Sequence, residues 1–251
     1  IVGYMSINQN NLSPIMSQGD YVKNFGPNAY TKPAAGLYML RQTIMGPELF
    51  DYAFRTYSQR WMFKHPSPAD FFRTMEDASA MDLDWFWRGW FYTTDYNDIA
   101  LKEVKKFYLT DQPTEKAKKM AKRYSMDLAD YEGKLVYFKE EQKGEVNTSL
   151  IASEIPLIKD HIASMSDKEK SLLKEIPNYF YEVTFEKPGG LVMPIIVELE
   201  YKDGTKERHN FPAQIWRYND KEVSKVFKTT KEIKKITIDP DLETADIDTS
   251  N

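Results

Sequence analysis

Several kinds of side chain in this 251-residue sequence could carry chemistry, and each needs particular company to do so. The histidines are His65, His161 and His209. Zinc chemistry wants two of them one helical turn apart, as in HExxH, and neither that spacing nor that motif occurs. His65 sits in a proline-flanked loop and His209 in a charged run, so each reads as a surface or structural residue. The acidic stretch DPDLETADID, Asp239 to Asp248, places Asp239, Asp241 and Glu243 at positions 1, 3 and 5 of a calcium loop. Thr244 then replaces the required glycine and Ser250 the closing glutamate, which breaks the register. A solvated acidic tail is the expectation, with a weak calcium site as its alternative. Lys116, Lys118, Lys119, Lys122 and Arg123 spread around a short basic helix without forming a stripe, which fits a solvated face better than a site for an anionic partner. No G-x-S-x-G elbow and no phosphate-cradling glycine loop is present; Gly189-Gly190 is read as a turn. That leaves Tyr30, two residues ahead of Lys32 and three ahead of Pro33. Its ring could pack, or its hydroxyl could donate a hydrogen bond to something outside the chain.

The elements that would position these residues fall into two halves of different period. Thr31 is expected to cap a helix with Pro33 in its first turn, where the missing N–H costs little. Leu37, Leu40, Ile44 and Met45 form its apolar stripe, Gly46 closes it and Pro47 opens the next helix. There Phe50, Ala53, Phe54, Tyr57 and Trp61 recur at spacings of three and four. Ser67 and Asp70 form a capping box with Pro68 at the first helical position, and Asp82 can cap a last helix. In that helix Leu83, Phe86, Trp87, Trp90 and Phe91 line one face. Each such buried aromatic contributes on the order of 2–3 kcal/mol, so this stripe is read as core.

From about Ile99 the pattern changes. EVKKFYL can be a strand, and KLVYF an isolated one. From Asn178 onward Tyr181, Val183 and Phe185 alternate with Glu182 and Thr184, and Ile195, Val197, Leu199 and Tyr201 alternate with Ile196, Glu198, Glu200 and Lys202. Asp203-Gly204 predicts a type I′ hairpin, and VSKVF and IKKITI supply further strands. The result expected is a small antiparallel β-sandwich over residues 98–251, following a helical part over 1–97. Between them lies a partly helical insertion at about 110–177, where Ser166 and Glu169 make a second capping box.

Composition narrows the classes. Hydrophobic residues make up 41% of the chain, enough for real cores. The net charge of -4 gives no support for nucleic-acid binding. There are no cysteines, which removes disulfides, thiolate metal sites and cysteine nucleophiles. No apolar run suggests a membrane span. The first residues, IVGYMSINQN, carry neither an initiator Met nor a signal-peptide pattern, so the chain is expected to be a piece of a longer polypeptide.

The stretch from Tyr30 to Tyr92 resembles the aminopeptidase N-like family of zinc metallopeptidases, the gluzincins. Their thermolysin-like catalytic domain carries, after its zinc motif, Y-x-K-G-A, a leucine-rich helix ending in Gly, an F…Y helix, and then D-F…E-x-x-S-x-x-D-L…F…W. The matching residues are Tyr30, Lys32, Ala34, Leu37, Leu40, Gly46, Phe50, Tyr57, Asp70, Phe71, Glu76, Ser79, Asp82, Leu83, Phe86 and Trp90. Pro33 stands where the family has Gly. The β half resembles the small sandwich that follows the catalytic domain in that family. HExxH, its downstream Glu and the G-x-M-E-N segment are all missing.

The resemblance implies an α+β multidomain fold: the helical part of a thermolysin-like catalytic domain, then an antiparallel β-sandwich. It implies a C-terminal fragment of a zinc-dependent aminopeptidase, a hydrolase whose zinc ligands and peptide substrate belong to the full-length protein. This chain alone is expected to be inactive and to bind no catalytic zinc. It implies for Tyr30 the catalytic role of donating a hydrogen bond to the oxyanion formed when water attacks the peptide, which suits a preorganised neutral phenol. Lys32 is left as a structural or electrostatic residue with no assigned role. Export to the periplasm or cell surface is a further implication, although the sequence itself assigns no compartment. The alternative is a non-catalytic protein-interaction module related to the family.

Overall fold

The computed structural model describes residues 1–110, 136–140, 149–151, 160, 163–172 and 178–250. The expected basic helix and His161 lie outside these residues, as does most of the segment expected as an insertion. The fold is α+β: helices first, then two antiparallel sheets.

After a short helix α1 (Val2–Met5), helical backbone runs without a break from residue 25 to residue 44. Its centre is α2 (Lys32–Met39), flanked by two wide π-helical turns, Pro27–Thr31 and Leu40–Ile44. The helix thus begins more than a turn before the expected cap. Thr31 is already helical, and Pro27 is the proline near the start. Pro33 therefore lies inside the helix, where it lacks an N–H and its ring crowds the carbonyl four residues back. The wide turn relieves that crowding: the Lys32 N–H reaches the Pro27 carbonyl, five residues back instead of four. Gly46, at φ 82°, closes the helix as expected.

Helices α3 (Pro47–Trp61), α4 (Pro68–Ser79) and α5 (Asp84–Tyr92) follow. The Ser67–Asp70 capping box is formed in both directions. Between α4 and α5 the Glu76 carboxylate accepts the Leu83 N–H at 2.8 Å, and Asp82 accepts the Asp84 N–H at 3.2 Å. The α5 stripe is core throughout: Leu83, Phe86, Trp87, Trp90 and Phe91 are all buried. The α3 stripe is less so. Phe50 and Ala53 are buried, Tyr57 and Trp61 are half-buried, and Phe54 is exposed.

Strands β1 (Ala100–Thr110), β2 (Val136–Glu140), β3 (Ser149–Ile151), β4 (Asn178–Glu186) and β7 (Glu222–Thr229) form one sheet in the order β3-β2-β1-β4-β7. KLVYF is therefore not isolated: β2 pairs with both β1 and β3. Strands β5 (Ile195–Tyr201), β6 (Lys206–Phe211) and β8 (Ile233–Ile238) make the second sheet, β6-β5-β8. The sheets share one apolar cluster, with Tyr181, Val183 and Phe185 from β4 and Val197, Leu199 and Tyr201 from β5. The Tyr181 hydroxyl also accepts the Ile233 N–H at 2.9 Å, a bond from one sheet to the other. The same cluster includes Leu40, Phe86 and Trp90, so the helices and the sandwich pack together. Helix α6 (Asp167–Leu172) carries the Ser166–Glu169 capping box.

Two expectations about turns change. The β5–β6 connection is not type I′, because only Gly204 takes positive φ (83°). Asp203 keeps its ordinary conformation and uses its carboxylate on the Thr205 N–H and hydroxyl, while the Gly204 N–H closes onto Tyr201 O. This is a three-residue turn with glycine at the left-handed position. The acidic tail is not solvated either. Asp239, Thr244 and Asp246 are buried, and the segment pairs with residues 97–99: Asn97 Nδ2 donates to Thr244 O at 3.1 Å, and the Asp246 carboxylate accepts the Ile99 N–H at 2.9 Å. The Asp239 carboxylate is used on the N–H groups of Glu243 and Thr244 and on the Thr244 hydroxyl, in a purely structural role.

Candidate functional site

Tyr30 projects from the wide turn at the start of the long helix, and its side chain is 69% exposed. Its ring meets Phe25 edge-on, with centroids 6.1 Å apart, and its hydroxyl has no hydrogen-bond partner among the described residues. It lies within the helix and not ahead of it, which gives its backbone a fixed setting.

That setting comes from the residues two before and two after it. Asn28 is buried, and its Nδ2 donates to the Ser13 carbonyl and, at 3.4 Å, to the Tyr4 hydroxyl. Lys32 is only 2% exposed. Its Nζ donates to the Thr93 carbonyl at 3.0 Å, just past the end of α5, and lies 5.6 Å from the centre of the Trp90 ring. The Trp90 indole N–H in turn donates to the Lys32 backbone carbonyl at 2.8 Å. Residues two apart on a helix point to opposite sides, so two inward anchors present one outward phenol.

The close fit depends on Gly36. A Cβ there would lie 2.4 Å from Trp90 Nε1, well inside van der Waals contact. Burial also acts on the lysine charge. Desolvation lowers the Lys32 pKa to about 8, with Asp95 opposing the shift. The ammonium is kept partly by Asp95 and by the π-face of Trp90.

Tyr30 offers one chemical capability: a hydroxyl donor on an anchored turn, open to whatever stands in front of it. The other residues singled out by sequence do not join it. His65 is exposed in the α3–α4 loop. His209 lies on β6, its Nε2 3.2 Å from Glu207 Oε1, with its ring stacked along Phe211. Among the described residues no group of three His, Cys, Asp or Glu side chains could hold a metal ion. No helix among them is long and apolar enough to cross a membrane.

A groove of about 180 Å³ opens between the helices and the second sheet, lined by Ile44, Met81, Trp85, Ile196, Phe211 and Gln214. It carries no titratable side chain and Tyr30 does not border it. Sequence reasoning passed over Asn28 and left Lys32 without a role. The signal that could have drawn attention to this contact is Gly36, a costly residue in a helix interior unless something approaches closely.

Comparison with known proteins finds no family model that matches the chain and no curated protein that matches it significantly.

Proposed function

We infer that this chain is the C-terminal part of a zinc-dependent aminopeptidase-like hydrolase and that Tyr30 is its contribution to the chemistry. The fold class supports a mixed helical and β-sandwich origin of the kind the resemblance implies. The observation that carries the reading is the phenol itself: exposed, without a partner among the described residues, and flanked by the anchored Asn28 and Lys32. A tyrosine that merely packed would bury its ring, and this one does not.

Among the described residues no group of His, Cys, Asp or Glu side chains fits a zinc ion, so the reading requires the metal to be held by residues other than these. What this chain provides is a donor aimed outward. Its hydroxyl would hydrogen-bond the oxygen that gains negative charge as the peptide carbonyl becomes tetrahedral. Such a donor acts by being in place beforehand, and losing one typically costs about 3–4 kcal/mol in the transition state. The helices behind Tyr30 would form one wall of a substrate cleft, and the sandwich would brace it.

The test compares the intact polypeptide that contains this chain with its Tyr30→Phe variant, using an aminoacyl p-nitroanilide. The expected loss in kcat is about 10²–10³-fold, with zinc content and melting temperature retained.

A second reading has its own support. Tyr21, Phe25, Tyr30 and Tyr38 are all exposed, and the Phe25 and Tyr30 rings meet edge-on. A non-catalytic module that binds a partner protein through these rings accounts for them without any turnover. Retained turnover in Tyr30→Phe, together with lost binding of a partner, favours it.

A further inference from the structure

We propose that Lys32 is a positioning residue for Tyr30, acting through the wide turn that the two share. The proposal is independent of turnover as a statement about structure; its meaning for catalysis rests on the reading of Tyr30 as a donor.

The geometry is a two-point suspension. Asn28 fastens the near end of the turn to the Ser13 carbonyl, and Lys32 fastens the far end to the Thr93 carbonyl. Tyr30 is midway between them. The turn itself is loosely bonded: its hydrogen bonds span five residues, and Pro33 contributes no N–H to the following one. Side-chain anchors therefore matter more here than in a regular helix. Trp90 completes the far anchor, because one indole both bonds the Lys32 carbonyl and covers the Lys32 ammonium.

A neutral side chain of similar length could fill the same space, and an ammonium in a dry site carries a desolvation penalty. The charge is retained at that cost because it strengthens the bond to Thr93 O and the attraction to the Trp90 face. Asp95 faces the amine from the segment after α5, and Lys187, from the loop after β4, also feels Asp95. Loss of the Lys32 proton removes the charge-assisted part of the anchor and leaves only a neutral amine on Thr93 O. Tyr30 should then shift with its turn, while the rest of the exposed helix face stays where it is.

The experiment uses this chain with 4-fluorophenylalanine in place of Tyr30, a ring that does not itself titrate, followed by fluorine NMR from roughly pH 6.5 to 10. The expected result is a single titration of the fluorine resonance with its midpoint at about 8. Lys32→Met abolishes the step. Lys32→Arg, which keeps a permanent charge and a donor, holds the resonance near its low-pH position across the range. The same label at Tyr38, exposed further along the same helix, does not follow the step. A resonance that fails to titrate, a step that survives Lys32→Met, or an equal step at Tyr38 overturns the proposal. If Lys32→Met does not fold, the Lys32→Arg variant and the Tyr38 label decide alone. No outcome depends on hydrolysis, so failure here is distinct from failure of the hydrolase reading.

Discussion

The Trp90 indole N–H donates to the Lys32 carbonyl at 2.8 Å while its ring lies 5.6 Å from the same residue's ammonium. One side chain of α5 therefore holds both the backbone and the charge of the residue two beyond Tyr30. This contact links the buried aromatic stripe, whose origin is ordinary packing, to the wide turn that carries Tyr30.

Gly36→Ala is expected to destabilise the protein by about 1–3 kcal/mol, the usual range for overpacking a tight site. On helix propensity alone the change would help by roughly 1 kcal/mol. The contact wins because the added methyl would sit 2.4 Å from Trp90 Nε1, and the indole cannot retreat without releasing the Lys32 carbonyl. Urea denaturation of the variant checks the sign.

Glu76→Ala should cost about 1–2 kcal/mol, as for the loss of a good helix cap. It leaves the Leu83 N–H at the start of α5 without its carboxylate partner. Glu76→Gln, which keeps an acceptor oxygen, should recover most of the loss in the same denaturation experiment.

Asp246 makes stability depend on pH in the mildly acidic range. Burial, with Asp98 and Asp239 nearby, raises its pKa to about 6, above the usual carboxylate value. The ionised form is thus penalised in the folded state. That penalty is fully present above about pH 6 and is relieved as pH falls through that value towards the unfolded pKa of about 4. Melting temperature followed over this range should show a component that rises on acidification in the native chain and is absent in Asp246→Asn. A component of opposite sign would contradict the placement of this carboxylate.

Asp239→Ala should destabilise by about 2–4 kcal/mol, because it leaves two N–H groups and a buried hydroxyl without their acceptor. Calcium should not restore stability, since both carboxylate oxygens already serve the chain itself. Thermal melts with and without the ion distinguish this from a calcium-loop role.

Much of the fold was legible because its signals are local. The 3.6-residue period of Leu83, Phe86, Trp87, Trp90 and Phe91 gives the buried face of α5, and the Ser67–Asp70 box gives the start of α4. Alternation along Ile195–Tyr201 gives a strand of the sandwich. What escaped depends on distant partners. The burial of Asp239 and Asp246 follows from pairing with Asn97 and Ile99, nearly 150 residues earlier in the chain, and an acidic run read alone looks solvated. The helix start was misplaced because Pro33 resembles a start signal, while the wide turn that admits it inside the helix leaves no clear mark in composition. Tyr30 stood out by resemblance. Its inward neighbour Lys32 did not, since lysine is rarely buried and nothing nearby in sequence announces Trp90 and Thr93 as its partners.

The most direct measurement is turnover of an aminoacyl p-nitroanilide by the intact polypeptide with and without the Tyr30 hydroxyl. A fall in kcat of about 10²–10³-fold in Tyr30→Phe, at unchanged metal content and stability, is the result expected of an oxyanion donor. Equal turnover by the two proteins would contradict it and leave the exposed aromatic face as a binding surface.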